Sequence, residues 1–343
     1  MSKIKNKDSA SSQLVSGNKQ DYLVTAAEKG IANAQFTLGK NYLEGTDIVN
    51  RNISAATNWL DKAAKQQHIE AQFLLGKIYL GGVDGIKPDT KIAVSWLDKA
   101  ANKKHVEAQF MLGKFYLEGS DSIKPNVKDA IVLLKEAAKK NHVEAQFVLG
   151  NFYLKGTDDI KPDTATAVGF LKDAAKQKYV EAEFILGQLY LKGTDHIKSD
   201  PGLAISWLNK ATEKNHAGAQ FVLGDCYLKG TLVKQNLKLA IDLLTKAANQ
   251  NHPEALYKLG ETYLEGQLVE RDLELAKGFL IKAIDQNYHE ASYKLGLINF
   301  EGKLTRQDLT LSKKWFTKAA ELDHTEAKYM LGSINLEECV QRQ

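Results

Sequence analysis

Residues 69–105 decide the fold, because they contain two apolar segments joined by a short loop. The first segment reads EAQFLLGKIYL over residues 70–80, and the second reads TKIAVSWLDKAANK over residues 90–103. The loop between them, GVDGIKPD, ends on Asp89. Apolar residues that recur three and four positions apart indicate one face of a helix. This unit therefore predicts a hairpin of two helices.

The same unit recurs along the chain. An aromatic-x-Leu-Gly theme returns at five intervals of 37 residues and then three of 36, with its glycine at Gly39, Gly76, Gly113, Gly150, Gly187, Gly224, Gly260, Gly296 and Gly332. A repeat of this length is typical of solenoids, in which each hairpin buries its apolar face against the next. The sequence therefore predicts an all-α solenoid of about eight antiparallel helical hairpins.

The period also sets the expected organisation of the chain. We expect one continuous array over residues 18–338, with lone capping helices at 18–29 and 325–338. A disordered segment is expected at 1–17 and a short tail at 339–343. The repeats are expected at residues 32–68, 69–105, 106–142, 143–179, 180–216, 217–252, 253–288 and 289–324.

Polar residues mark both ends of the second helices. Every loop ends on a short acceptor, which caps a helix N-terminus at about 1 kcal/mol: Asn52, Asp89, Asn126, Asp163, Asp200, Asn236, Asp272 and Asp308. We interpret these residues as caps rather than as metal ligands or catalytic carboxylates. After the second helix comes Gly30 or a residue that tolerates a left-handed C-cap, namely Asn141, Asn215, Asn251, Asn287 or Asp323. Gln67, Lys104 and Lys178 fit that site less well.

The combined pattern resembles the Sel1-like repeat, a relative of the tetratricopeptide repeat. In the second unit it is carried by Ala71, Leu75, Gly76, Tyr79, Gly82, Asp89, Ala93, Leu97, Ala100 and Ala101. The resemblance implies a right-handed superhelix and a role as a protein-binding scaffold or adaptor rather than an enzyme. Some secreted relatives carry paired cysteines and have been linked to β-lactam binding. Such pairs are missing from this sequence, so we do not extend that activity to it.

Composition and motifs narrow the function further. The net charge of +4 is too small to indicate a nucleic-acid binder, and the two cysteines, Cys226 and Cys339, lack metal-ligand spacing. The N-terminal residues lack the apolar run of a signal peptide, and no apolar stretch is long enough to span a membrane. We expect a cytoplasmic protein with no cofactor, no metal and no small-molecule substrate. Export without a cleaved signal remains open.

Two ladders of side chains suggest chemistry at first. Histidines precede the first helices at His68, His105, His142, His216, His252 and His324. Helices pack ~8–10 Å apart, whereas zinc needs its donors ~2 Å away, so we expect a packing or turn role. Aromatic residues form the second ladder at Phe36, Phe73, Phe110, Phe147, Phe184, Phe221, Tyr257, Tyr293 and Tyr329. We expect packing between repeats there, with a peptide-binding stripe as the alternative.

A helical wheel leaves one strip of each first helix free, and this strip becomes acidic in the last units. The candidate partner-binding residues are Glu254, Glu261, Glu265, Glu290, Glu301, Glu326 and Glu337, with no cation in the strip itself. We therefore expect a partner protein or peptide with a basic segment, bound in the concave groove. A bacterial secreted effector that uses the same surface is the alternative, and an enzyme-associated solenoid is a second alternative.

Overall fold

The computed structural model describes residues 21–341 except 47, 48, 121, 122, 159, 195 and 303, and it describes side chains as far as residue 335. The expected disordered segment 1–17 lies outside these residues, as do residues 342 and 343 of the expected tail and the side chains of Glu337 and Cys339, whereas residues 339–341 of that tail belong to the last helix. All regular elements of the described chain are helices, and three isolated β-bridges lie within loops. The chain divides into two compact units, residues 1–177 and 178–343.

The first unit contains nine helices within its described residues. They are α1 (21–28), α2 (Ala32–Glu44), α3 (Ile53–Lys65), α4 (Ile69–Gly81), α5 (Thr90–Asn102), α6 (Val106–Glu118), α7 (Val127–Lys139), α8 (Val143–Lys155) and α9 (Thr164–Lys176). The even-numbered helices are the first helices of the predicted hairpins, and the odd-numbered helices are the second.

The described part of the second unit also contains nine helices. They are α10 (Val180–Lys192), α11 (Pro201–Glu213), α12 (Ala217–Lys229), α13 (Leu237–Asn249), α14 (Pro253–Glu265), α15 (Leu273–Asp285), α16 (His289–Glu301), α17 (Leu309–Glu321) and α18 (Thr325–Gln341). Within each unit, a first helix pairs with the second helix that follows it, and that second helix packs on the next first helix of the same unit. The predicted all-α solenoid of helical hairpins is confirmed.

A glycine brings the two helices of each hairpin close together. A Cβ placed on Gly76 would lie 2.6 Å from Cγ of Leu97, which is fully buried. The glycine costs about 1 kcal/mol of helix propensity. Burial of the facing leucine returns about 1.5–3 kcal/mol. The close approach that the repeated glycine predicts is therefore present.

The predicted caps hold both ends of the second helices. Asp89 Oδ1 accepts a hydrogen bond from the backbone N–H of Ile92 at 3.0 Å, and the other seven predicted Asp and Asn residues cap in the same way. At the C-terminal end, the left-handed position is occupied even by Gln67, Lys104 and Lys178, with φ of 64°, 63° and 66°. The backbone imposes this conformation, since the N–H of the following His68 reaches back to the carbonyl of Ala63 at 3.1 Å.

A row of buried amides, which sequence reasoning missed, ties neighbouring hairpins together. Gln72 Nε2 donates to the carbonyl of Ala64 at the end of the preceding helix, at 3.1 Å. Gln35, Gln109 and Gln146 make the equivalent bond. These amides satisfy carbonyls that a helix C-terminus leaves without an intrahelical partner. They therefore fix how one hairpin sits on the next.

Candidate protein-binding surface

Five histidines of the ladder cap their first helices, whereas His252 makes no such hydrogen bond. His68 Nδ1 accepts the backbone N–H of Ala71 at 3.3 Å, and His105, His142, His216 and His324 do the same. A ring nitrogen that accepts must be unprotonated, so the ring's proton lies on Nε2. In the first unit that Nε2 faces a glutamate of the preceding first helix, with His105 at 3.2 Å from Glu70. The expected turn role of this ladder is confirmed.

The aromatic ladder packs against the histidine ladder. The rings of Phe36 and His68 stack with centroids 4.4 Å apart, as do those of Phe73 and His105. In the second unit Phe221 stacks on His252 at 5.1 Å and Tyr293 on His324 at 4.3 Å. Each of these pairs joins one repeat to the next. The expected packing role is confirmed at these positions, whose rings are engaged within the protein.

Three candidate glutamates lie in the first turns of their helices. Glu254, Glu290 and Glu326 approach a histidine at the same helix N-terminus, with Glu254 Oε2 3.2 Å from His252 Nδ1. A negative charge near a helix N-terminus interacts favourably with the helix dipole by about 0.3–1 kcal/mol. These positions therefore have a local structural explanation that needs no partner.

Glu261 departs most from the expected exposed strip. Its side chain is only 18% exposed, because it lies against Tyr257, Lys258 and Lys294. Tyr257 donates to Glu261 Oε1 at 2.9 Å, and both lysines lie 3.1 Å from the carboxylate. Burial alone would raise the pKa of Glu261, but the hydrogen bonds from Lys258 and Tyr257 and the lysine charges together lower it. The strip itself contains no cation in these units, but Lys258 and Lys294, which lie beside the strip, neutralise the charge of Glu261.

Two adjacent surface cavities lie at the C-terminal ends of α12, α14 and α16. The first has a volume of about 310 Å³ and is lined by residues that include Leu228 and Glu261. The second has a volume of about 270 Å³ and is lined by residues that include Leu297 and Glu301. Glu265 lines both cavities. We call these two cavities and Glu265 the cavity face.

The charges on the cavity face are mixed rather than acidic. Lys229 pairs with Asp225 at 2.6 Å, and Lys258 and Lys294 pair with Glu261. Arg271 donates to the backbone carbonyl of Glu265 at 3.1 Å. The Glu265 carboxylate is exposed, and no described residue forms an ion pair with it. Glu265 is thus a predicted strip residue that the structure places at both cavities and without a described charge partner.

The described residues do not form a metal centre or a membrane-spanning helix. Within the described residues, no group of three or more histidine, cysteine or acidic side chains is arranged to hold a metal ion. Cys226 is buried, and burial raises the pKa of its thiol. None of the helices described is long and apolar enough to cross a membrane.

Comparisons with known proteins agree with the geometry. A family model for the Sel1 repeat matches residues 32–68, 69–105, 106–142, 143–179, 180–216, 217–252, 253–288 and 289–324. Comparison with curated proteins gave no match.

Two solved structures resemble the chain over most of its length. One is c5321, a protective antigen present in uropathogenic Escherichia coli strains that displays an SLR fold. It has 27% identity and a TM-score of 0.79, over 92% of this chain and 67% of that one. The other is a Sel1 repeat protein from Oxalobacter formigenes, with 26% identity and a TM-score of 0.76, over 92% of this chain and 90% of that one.

Proposed function

We propose that this chain, which belongs to the Sel1 repeat family, holds a segment of a partner protein on its cavity face. Members of this family are generally non-catalytic protein–protein interaction scaffolds. The observation that carries this proposal is the position of Glu265 between two cavities with apolar lining residues. Concave sites that combine apolar side chains with placed polar groups are typical binding sites, and both cavities are lined by leucines together with charged side chains.

The spacing of the cavities suggests what the segment looks like. Successive first helices of a solenoid lie ~10 Å apart, and an extended peptide advances ~3.3 Å per residue. Because alternate side chains of such a peptide share one face, two apolar side chains four residues apart, ~13 Å along the peptide, would reach the two cavities. A basic side chain between them would meet Glu265. The partner motif is thus an extended segment with one basic residue flanked by two apolar residues.

Synthetic peptides test this motif directly. We would measure, by fluorescence anisotropy, the binding of labelled peptides in which one arginine lies between two leucines at varied spacing. The control peptides carry glutamate in place of arginine. We expect the arginine peptides to bind and the glutamate peptides to bind at least ~10-fold more weakly, because charge complementarity governs specificity at such a site.

A charge reversal with a matched control locates the site. Glu265→Lys is expected to weaken arginine-peptide binding roughly 10-fold. Glu118→Lys makes the same change at the equivalent position of α6, where no such peptide is expected to bind, and should leave the affinity unchanged. Equal affinity in the wild type and Glu265→Lys would overturn the proposal. Reversal of Glu254 and Glu261 is unsuitable, since both have structural contacts.

A second candidate is that the protein is exported and uses the same surface outside the producing cell. The observation that favours it is the similarity to c5321, which is a protective antigen. A translocation-reporter fusion tests it: reporter signal in a recipient cell supports export, and signal confined to the producing cell contradicts it.

A further inference from the structure

The helices at the two ends of the described chain are complementary halves of a hairpin. α18 carries the first-helix pattern, with Tyr329 and Gly332 in the repeated positions. α1 carries the second-helix pattern, with Tyr22 and Leu23 as its bulky pair. α18 packs on α17, and α1 packs on α2 through Leu23 and Ala27. Within the described residues, neither end helix has the hairpin partner that its pattern calls for.

The contact positions of α18 are uncovered. A Cβ built on any of the eight preceding repeat glycines would meet a leucine or phenylalanine of a second helix at 2.5–2.9 Å, but one on Gly332 meets nothing within 4 Å. Tyr329 is 74% exposed. Its counterpart Phe36 instead stacks on His68 at 4.4 Å. α18 therefore presents an open surface for a second helix and for the residue that begins the next repeat.

The other end of the chain carries the residues that would cover this surface. Leu23 lies one 37-residue period before Leu60, the side chain that covers Gly39. Ile31 lies one period before His68 and is 52% exposed, and Tyr22 is 78% exposed. An exposed isoleucine thus stands where the repeat uses a ring-stacking residue.

We propose that α18 of one copy docks on α1 of a second copy and completes a hairpin between them. Leu23 of the second copy would cover Gly332 of the first, and Ile31 would pack on Tyr329. Such a contact joins two different surfaces, so it continues from copy to copy and forms chains. This inference concerns self-association, and it does not depend on the cavity face.

The repeat register places two lysines, Lys328 and Lys29, opposite each other in this contact. Lys328 and Lys29 occupy the positions at which Glu183 and Lys214 form a buried ion pair, with the closest N–O distance 2.6 Å. In the proposed contact the two lysines would face each other, with Asp323 of the same copy 2.6 Å from Lys328. Their repulsion weakens association at low ionic strength, and added salt screens it. Association should therefore strengthen as salt is added.

Sedimentation velocity of the full chain over a wide range of concentration tests the proposal. We expect the mean mass of the wild type to rise with concentration. Gly332→Arg should keep the chain monomeric, because it fills the open surface, while circular dichroism stays unchanged. Gly169→Arg is the matched control, since that glycine in α9 also has nothing within 4 Å, and it should associate like the wild type.

A variant designed to associate more tightly tests how α18 of one copy is aligned with α1 of the next. Lys328→Glu would recreate the Glu183–Lys214 pair across the contact and should tighten association roughly 10-fold. A wild type that stays monomeric at every concentration overturns the proposal, and so does a Gly332→Arg variant that associates like the wild type. A Lys328→Glu variant that associates no more tightly than the wild type overturns the proposed register.

Discussion

One buried ion pair shows how a repeat tolerates a change of chemistry at a single position. The Glu183 side chain is 3% exposed, and Lys214 Nζ lies 2.6 and 2.7 Å from its two oxygens. The same two positions hold glutamines elsewhere, and these bond to each other, as in Gln66 to Gln35 at 2.7 Å. An amide pair and an ion pair therefore fill the same site, and two other units hold a glutamine with a lysine there, Gln72 with Lys103 and Gln109 with Lys140.

A double-mutant cycle at this pair has a defined outcome. Lys214→Gln alone leaves the Glu183 carboxylate buried without a cation, which should lower the free energy of unfolding by about 3 kcal/mol. Glu183→Gln combined with Lys214→Gln restores the pairing found at Gln35 and Gln66 and should recover most of that loss. Urea unfolding measures both. If the double variant were no more stable than Lys214→Gln, the pairing account would be wrong.

Single residues also show what the sequence reveals and what it hides. Asp89 and its equivalents are recognisable as caps because Asp and Asn carry an acceptor in every protonation state relevant here. His68 is not recognisable in this way, since its capping role requires one particular tautomer. The buried Gln72 is equally hidden, because a glutamine in an apolar helix face does not indicate which carbonyl it reaches.

At the scale of the element, five of the first helices described have caps that depend on a neutral histidine. Nδ1 of His216 accepts the N–H of Ala219 at 3.1 Å, and a protonated ring would present an N–H to that donor instead. Burial lowers the pKa of His216, with Glu181 opposing it, and burial likewise lowers the pKa of His68. The folded state thus binds these protons less readily than the unfolded state, in which the histidine pKa is about 6.5.

The sign of the pH dependence follows from this shift. Since the folded pKa lies below the unfolded one, stability is complete above about pH 6.5 and is lost as the pH falls through the folded pKa. His216→Asn keeps a neutral acceptor at the cap and should flatten this acid-side loss, although the ring stacking on Phe184 is removed. Thermal unfolding from pH 8 to pH 5 measures the slope. An unchanged slope in His216→Asn would exclude this cap as its source.

At the scale of the whole molecule, the fold was predictable and the binding surface only in part. A motif that occurs nine times averages out local ambiguity, which is why the helices and caps were placed correctly from sequence. The acidic strip was inferred from the wheel of one helix at a time. That view cannot show Lys294 of α16 reaching Glu261 of α14, nor a cavity formed between two hairpins.

The central claim is that a partner segment binds on the cavity face of the second unit. Hydrogen–deuterium exchange of the full chain, with and without the arginine peptide that binds most tightly, tests it most directly. The terminal turns of helices open readily, so added protection there is measurable. We predict that the peptide slows exchange in the last turns of α14 and α16 and leaves α4, α6 and α8 unchanged. Protection confined to the first unit, with none at α14 and α16, would contradict the account.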